Sequence, residues 1–223
     1  MGMGPFIRRM FGPYERQISE SYRVAFFDLD AFVERMRQWA PNATKILEVG
    51  CGEGAVTERL NAAYPFAKIT AIDITPRLGR LYEGSRDKVR FIRCNVQKIA
   101  ATDPGQYDLV VLCDVLHHVP VAFRQELLDA IRATLAPGGA FVLKEWERTS
   151  SPIHWLGYAS DRWVTGDRIR FMTRHDARER LAGSFGETAL VAEARFAPWR
   201  NNIATLVRPR GRTPLPDGRR ATP

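Results

Sequence analysis

KILEVGCGEGAVTERL, residues 45–60, changes character twice within one short stretch. The apolar run from Lys45 to Val49 reads as a short buried strand. Gly50, Gly52 and Gly54 follow within five residues, and from Ala55 the spacing turns helical. Glycine tolerates backbone conformations that side chains forbid, and it lets a ligand come close to the main chain. Strand, glycine turn and helix N-terminus in that order suit a nucleotide-type cofactor, whose polar groups meet backbone N–H donors there. Glu48, just ahead of the glycines, adds a carboxylate to a run that is otherwise apolar.

Outward from that stretch, strands and helices alternate. Before it, residues 14–40 carry an apolar stripe at helical spacing (Phe26, Phe27, Leu29, Phe32, Val33, Met36, Trp39), and Pro41-Asn42 stops it. After it come a strand at 68–74 (KITAIDI), a helix at 76–82, and a strand at 89–96 (VRFIRCNV). YDLVVLCDV, 107–115, has the unbroken apolar content of a strand buried on both faces. Residues 120–136 read as a helix ended by Pro137-Gly138-Gly139, and AFVLKEW, 140–146, as a fifth strand.

Regular alternation of this kind predicts an α/β, doubly wound, mostly parallel sheet. ETALVAEARF and NNIATLVRP supply two further strands. Their APWR link is too short for a parallel crossover, so the seven-stranded sheet should close on an antiparallel last strand.

The expected organisation is one domain over 1–207. It comprises an N-terminal helical lid or edge segment at 1–42 that includes Tyr14, and an aromatic-rich insert at 147–186 with Trp155, Tyr158, Trp163 and Phe171. Residues 208–223 form a Pro/Arg-rich tail expected to lack structure. The tail holds five arginines against one aspartate, half of the net charge of +8. A charge concentrated there argues against nucleic acid as the partner of the folded body. A tail contact with RNA or acidic lipid is the alternative.

No apolar run reaches the roughly 18 residues that a membrane span needs. MGMGPFIRRMFGP has no continuous apolar segment of the kind a secretory signal carries, so a cytoplasmic chain is expected. Cys51, Cys94 and Cys113 lack CxxC spacing and clustered histidines, which leaves no ligand set for a metal and no disulfide framework. They read as small buried hydrophobes.

Two cofactors compete for the loop. Gly50-x-Gly52-x-x-Ala55 with Asp73 downstream satisfies a dinucleotide pattern. The broader likeness is to class I S-adenosylmethionine-dependent methyltransferases. LEVGCGEG resembles their first motif, AIDI their second-strand acidic motif, FIRCNV the segment flanking adenine, and YDLVVLCDVLHHV and LAPGGAFVLKE their fourth- and fifth-strand motifs. Together these cover residues 45 to about 145 in the family's order, closest to its ubiquinone/menaquinone-type and natural-product branches.

The resemblance implies S-adenosylmethionine as cofactor, S-adenosylhomocysteine as product, and no metal. It implies Gly50, Cys51, Gly52 and Gly54 under the methionine and ribose, with Glu48 fixing the loop. Asp73 and Ile74 would lie at the ribose, Asn95 and Val96 at the adenine, and Cys113 and Asp114 at the methionine ammonium. Asn95 departs from the commoner aspartate, although an amide oxygen also accepts a hydrogen bond.

A general base is needed only for an acceptor that holds its proton, such as an alcohol or phenol. The candidates are His118, slightly ahead of His117, then Glu145 and His154. His175, between Arg174 and Asp176, reads as helix-start chemistry. The expected acceptor is a small molecule, through a hydroxyl or carbon of a secondary-metabolite, quinone-like, sugar or lipid-linked compound. An RNA methyltransferase using the tail and a non-catalytic cofactor-binding regulator are the alternatives. CDVLHH stands where amide-methylating enzymes carry N/D-P-P-Y/F, which argues against adenine or glutamine-amide acceptors.

Overall fold

A computed structural model describes residues 26–150, 154 and 169–209. Tyr14, most of the aromatic insert (Trp155, Tyr158, Asp161 and Trp163) and nearly all of the basic tail lie outside the described residues.

The chain runs α1 (Leu29–Trp39), β1 (Lys45–Val49), α2 (Ala55–Ala63), β2 (Lys68–Asp73), β3 (Val89–Arg93), α3 (Val96–Thr102), β4 (Tyr107–Cys113), α4 (Arg124–Thr134), β5 (Leu135–Trp146), α5 (Arg174–Phe185), β6 (Leu190–Phe196) and β7 (Asn202–Val207). The seven strands form one sheet in the order β3-β2-β1-β4-β5-β7-β6. All pairings out to β5 are parallel, and β7 runs antiparallel to both of its neighbours. The short 197–201 link turns β6 back into β7, as its length requires.

Because side chains alternate across a strand, the central strands feed two cores. Ile46, Leu109, Val111 and Val142 meet Phe32, Val33 and Met36 of α1 and Leu60 of α2 on one face. Leu47, Val110, Leu112, Phe141 and Leu143 meet Ile99 of α3, Leu128 and Ile131 of α4, and Leu181 and Phe185 of α5 on the other. Phe27, Phe32 and Phe196 form a three-ring cluster with centroids 5.4–6.0 Å apart, which joins α1 to the β6–β7 hairpin.

Several sequence expectations shift. α1 starts only at Leu29, since the Asp28 carboxylate accepts from Ala31 N at 2.9 Å and caps it, leaving Phe26 and Phe27 ahead of the helix. The helix expected over 76–82 is a series of turns. Pro76 opens it and Gly79, at φ 63°, lies so close to Phe91 that a Cβ there would be 2.7 Å from the ring. The strand expected over 89–96 ends at Arg93, because the Asn95 side chain accepts from Lys98 N at 3.1 Å and starts α3 with Val96 in its first turn. The fourth helix ends at Thr134, and β5 begins at Leu135, ahead of Pro137-Gly138-Gly139. α5 opens on a reciprocal box in which Thr173 and Asp176 each cap the other's backbone N–H, matching the helix-start reading of His175 and its neighbours.

Candidate functional site

The C-terminal ends of β1, β4 and β5 open onto a cavity of about 320 Å³. The glycine loop forms one wall. Gly50 N and Cys51 N both donate to Ile72 O, at 2.8 and 3.0 Å, which ties the loop to β2. Gly50 and Gly54 are shaped by their own chain, since a Cβ at Gly50 would overlap the Val115 methyls and one at Gly54 would lie 2.9 Å from Tyr82 Cβ. Gly52 differs: at φ 50° it has nothing within 4 Å on the side where a Cβ would stand, so the open cradle is there.

Asp73 organises that cradle, accepting from Gly52 N through one carboxylate oxygen and from Thr75 N through the other, both at 2.8 Å. Each oxygen keeps a second lone pair for a ligand hydroxyl. Ile74, beside it, is 73% exposed, an apolar plate at the strand end. Asn95 is exposed and spends its amide oxygen on the α3 cap, while Val96 is buried. None of these four lines the cavity itself.

Glu48 is buried under the loop and accepts from Thr57 Oγ at 2.6 Å. Burial raises its carboxyl to about 7; the Thr57 bond opposes that shift and the nearby Asp73 charge adds to it. Cys51 and Cys113 line the same space with thiols pushed up by burial, and Cys94 lies apart from it.

The opposite wall comes from β4, β5 and the turn after β4. Asp114 takes the left-handed conformation, φ 55°, and its carboxylate receives Lys144 Nζ at 2.5 Å. His117 is buried, lines the cavity, and shares a 2.6 Å hydrogen bond between Nδ1 and Glu145 Oε2. Glu145 Oε1 meanwhile accepts from Val115 N at 3.1 Å and Leu116 N at 2.7 Å. Glu145, a general-base candidate on the sequence, therefore stays behind the cavity lining. Phe171 lies against the His117 ring at 4.8 Å.

His118, favoured over His117 on the sequence, is the exposed member of the pair, its ring 4.2 Å from that of His117. His154, the last of the general-base candidates, is buried. Its Nδ1 accepts from Trp146 Nε1 at 3.2 Å, burial and then Arg148 lower its pKa, and it stands outside the cavity lining.

Three contributors were missed. Arg124, in α4, is buried and donates to the carbonyls of Val119 at 2.9 Å, Arg170 at 2.7 Å and His117 at 3.4 Å, which fixes the turn that presents His117. Lys144 and Asn202 stand in the cavity wall. The signal for Lys144 was present, a cation inside the apolar run AFVLKEW.

Asp114, His117 and Glu145 place one ligand atom each within 4.8 Å of one another, the one such group among the described residues. Asp114 Oδ2, His117 Nδ1 and both Glu145 oxygens already have partners, and the Lys144 ammonium opposes a second cation.

Residues 47–141 match the model of a methyltransferase-domain family. The chain is 35% identical over 109 residues to a ubiquinone biosynthesis O-methyltransferase of Xanthomonas campestris pv. campestris, covering 47% of this chain and 44% of that protein. The chain thus spans about half the length of the curated relatives it matches. Among solved structures it is similar to the 1,6-didemethyltoxoflavin-N1-methyltransferase of Burkholderia thailandensis, with TM-score 0.64 and 17% identity over 91% of this chain and 87% of the other. It is also similar to the N-methyltransferase NodS of Bradyrhizobium japonicum, with TM-score 0.58 and 20% identity over 88% of each. At those identities the structural likeness is one of fold. Sheet order and glycine loop agree with the family match: residues 47–141 are similar to a methyltransferase domain. No described helix is long and apolar enough to cross a membrane.

Proposed function

We propose that this chain transfers a methyl group from S-adenosylmethionine to an oxygen of a small organic acceptor, with His117 as the general base and Glu145 as its positioning residue. The observation that carries the reading is the buried Glu145–His117 pair facing the glycine loop across one cavity. The relative whose name specifies oxygen as the methyl acceptor supports the choice of nucleophile.

The residues fit the cofactor. Gly52 leaves the open cradle, Asp73 keeps two lone pairs toward it, and Glu48 stands beneath with a carboxyl that a cationic amino group would hold ionised. Bound there, S-adenosylmethionine supplies a methyl group on a positively charged sulfur, open to in-line displacement.

The protein's task is to align the acceptor and take its proton. Glu145 fixes the His117 ring through Nδ1, so proton exchange falls to Nε2. As the acceptor proton arrives, the carboxylate at 2.6 Å stabilises the imidazolium that forms. The two backbone donors on Oε1 keep the carboxylate from turning away.

The test uses labelled S-adenosylmethionine and a small-molecule extract, followed by identification of the labelled product. His117→Gln should lower its turnover by about 10²–10⁴-fold, as expected for loss of a general base, with S-adenosylhomocysteine affinity retained. Glu145→Gln should fall between His117→Gln and the parent. Undiminished turnover in His117→Gln removes the base from the proposal.

A further inference from the structure

Lys144 and Asn202 have no part in the mechanism above, and both are buried polar side chains in the cavity wall. Lys144 Nζ touches Asp114 Oδ2 at 2.5 Å and lies 3.8 Å from the centre of the Phe27 ring. Asp114 is its one hydrogen-bond partner among the described residues, so the ammonium has donors to spare. Asn202 donates through Nδ2 to the carbonyls of Phe26 at 2.6 Å and Trp199 at 3.3 Å. Two carbonyl partners settle which end of the amide is nitrogen. Its Oδ1 is therefore a buried acceptor without a donor.

The two groups belong together. In the β5–β7 pairing Lys144 faces Ala204 and Trp146 faces Asn202, so Lys144 and Asn202 share one sheet face as diagonal neighbours. Such neighbours stand about 7–8 Å apart, the scale of a substituted ring. Phe26, Phe27 and Trp146 supply apolar surface around them. A wall built only for packing would carry neither a buried cation nor an orphaned carbonyl oxygen, because each costs stability until something answers it.

We propose that Lys144 and Asn202 select the methyl acceptor, taking a flat ring that carries an ionised oxygen acid for the ammonium and a hydroxyl or N–H donor for the amide oxygen. The inference rests on the methyltransferase reading and names the acceptor class for that same cavity. Lys144 binds the anion and Asn202 sets the ring's rotation, which presents the reacting oxygen to His117 on the neighbouring wall.

Calorimetry on the full chain tests it in two steps. S-adenosylhomocysteine is titrated first. The 2-, 3- and 4-hydroxybenzoates and the matching hydroxybenzamides are then titrated into the saturated protein near neutral pH. At least one acid should bind the parent about tenfold more tightly than its amide, as a charge-assisted contact predicts. Lys144→Met should erase that preference while leaving S-adenosylhomocysteine affinity within about twofold, and Lys144→Arg should keep it. Asp114→Asn removes the competing carboxylate without touching the ammonium, and should tighten the acid.

No discrimination in the parent, discrimination that survives Lys144→Met, or an acid unaffected or weakened in Asp114→Asn overturns the inference. So does a marked loss of S-adenosylhomocysteine affinity in Lys144→Met, which would assign the ammonium to the cofactor's own carboxylate. Failure of the parent to bind S-adenosylhomocysteine overturns the methyltransferase reading itself, whereas binding it without telling acid from amide overturns only this inference.

Discussion

Glu48 has 2% of its surface exposed, and burial holds its carboxyl at about 7 where an exposed one sits at 4.5. Folded chains therefore keep a proton between those values that unfolded chains have released. Stability falls as pH climbs through that window and levels off above it. The penalty at the upper end is on the order of 3 kcal/mol. Glu48→Gln keeps an acceptor for Thr57 without the charge. Denaturant unfolding from about pH 5 to pH 8 should then show the parent losing roughly 2–3 kcal/mol that the variant retains. Parallel pH profiles would refute it.

At this scale the sequence was informative where chemistry is local. Glu48 and the glycines stand in one contiguous motif whose order alone located the loop, and Asp73 ends the next strand. The division of labour among the glycines was not legible, because Val115 and Tyr82, which exclude a side chain at Gly50 and Gly54, come from distant turns. The buried setting of His117 was hidden for a similar reason. Glu145, its hydrogen-bond partner, is 28 residues further on.

Arg124 shows how one element holds another's functional turn. Its guanidinium answers three carbonyls from two segments, of which His117 O also accepts from Arg170 N at 3.0 Å. Arg124→Met preserves much of the stem and takes the guanidinium from the Val119 and Arg170 carbonyls, at a cost of about 2–4 kcal/mol. Thermal unfolding should drop by roughly 5–12 °C, and turnover should fall while S-adenosylhomocysteine affinity holds. A turnover unchanged against the lower midpoint would separate Arg124 from His117.

Elements with strong periodicity were read correctly from sequence, α2 over Ala55–Ala63 above all. Those governed by a single polar residue were not. Asn95 looked like the end of a strand because VRFIRCNV is β-rich, yet its side chain turns the chain into α3. Residues 76–82 looked helical by composition, and the close approach of Gly79 to Phe91 holds them as turns.

Across the molecule, the sheet divides two apolar cores. Phe32 is wholly buried and touches both Phe27 and Phe196, so it couples the first described helix to the β6–β7 hairpin. Phe32→Ala should cost about 3–5 kcal/mol. It should also loosen the Phe27 support under Lys144, read as a fall in hydroxybenzoate affinity larger than the fall in S-adenosylhomocysteine affinity. Equal losses would mean that the ring cluster serves stability alone. The alternation of strands and helices made the sheet and its antiparallel closure readable in advance, since both follow from link lengths.

Strand β7 slots between β5 and β6, and it is made last of the seven. During synthesis the outer edge of β5 stays bare until residues 202–207 leave the ribosome, a row of unpaired backbone groups open to any passing strand. A chain cut short before Asn202 would thus be sticky before it was merely weakened.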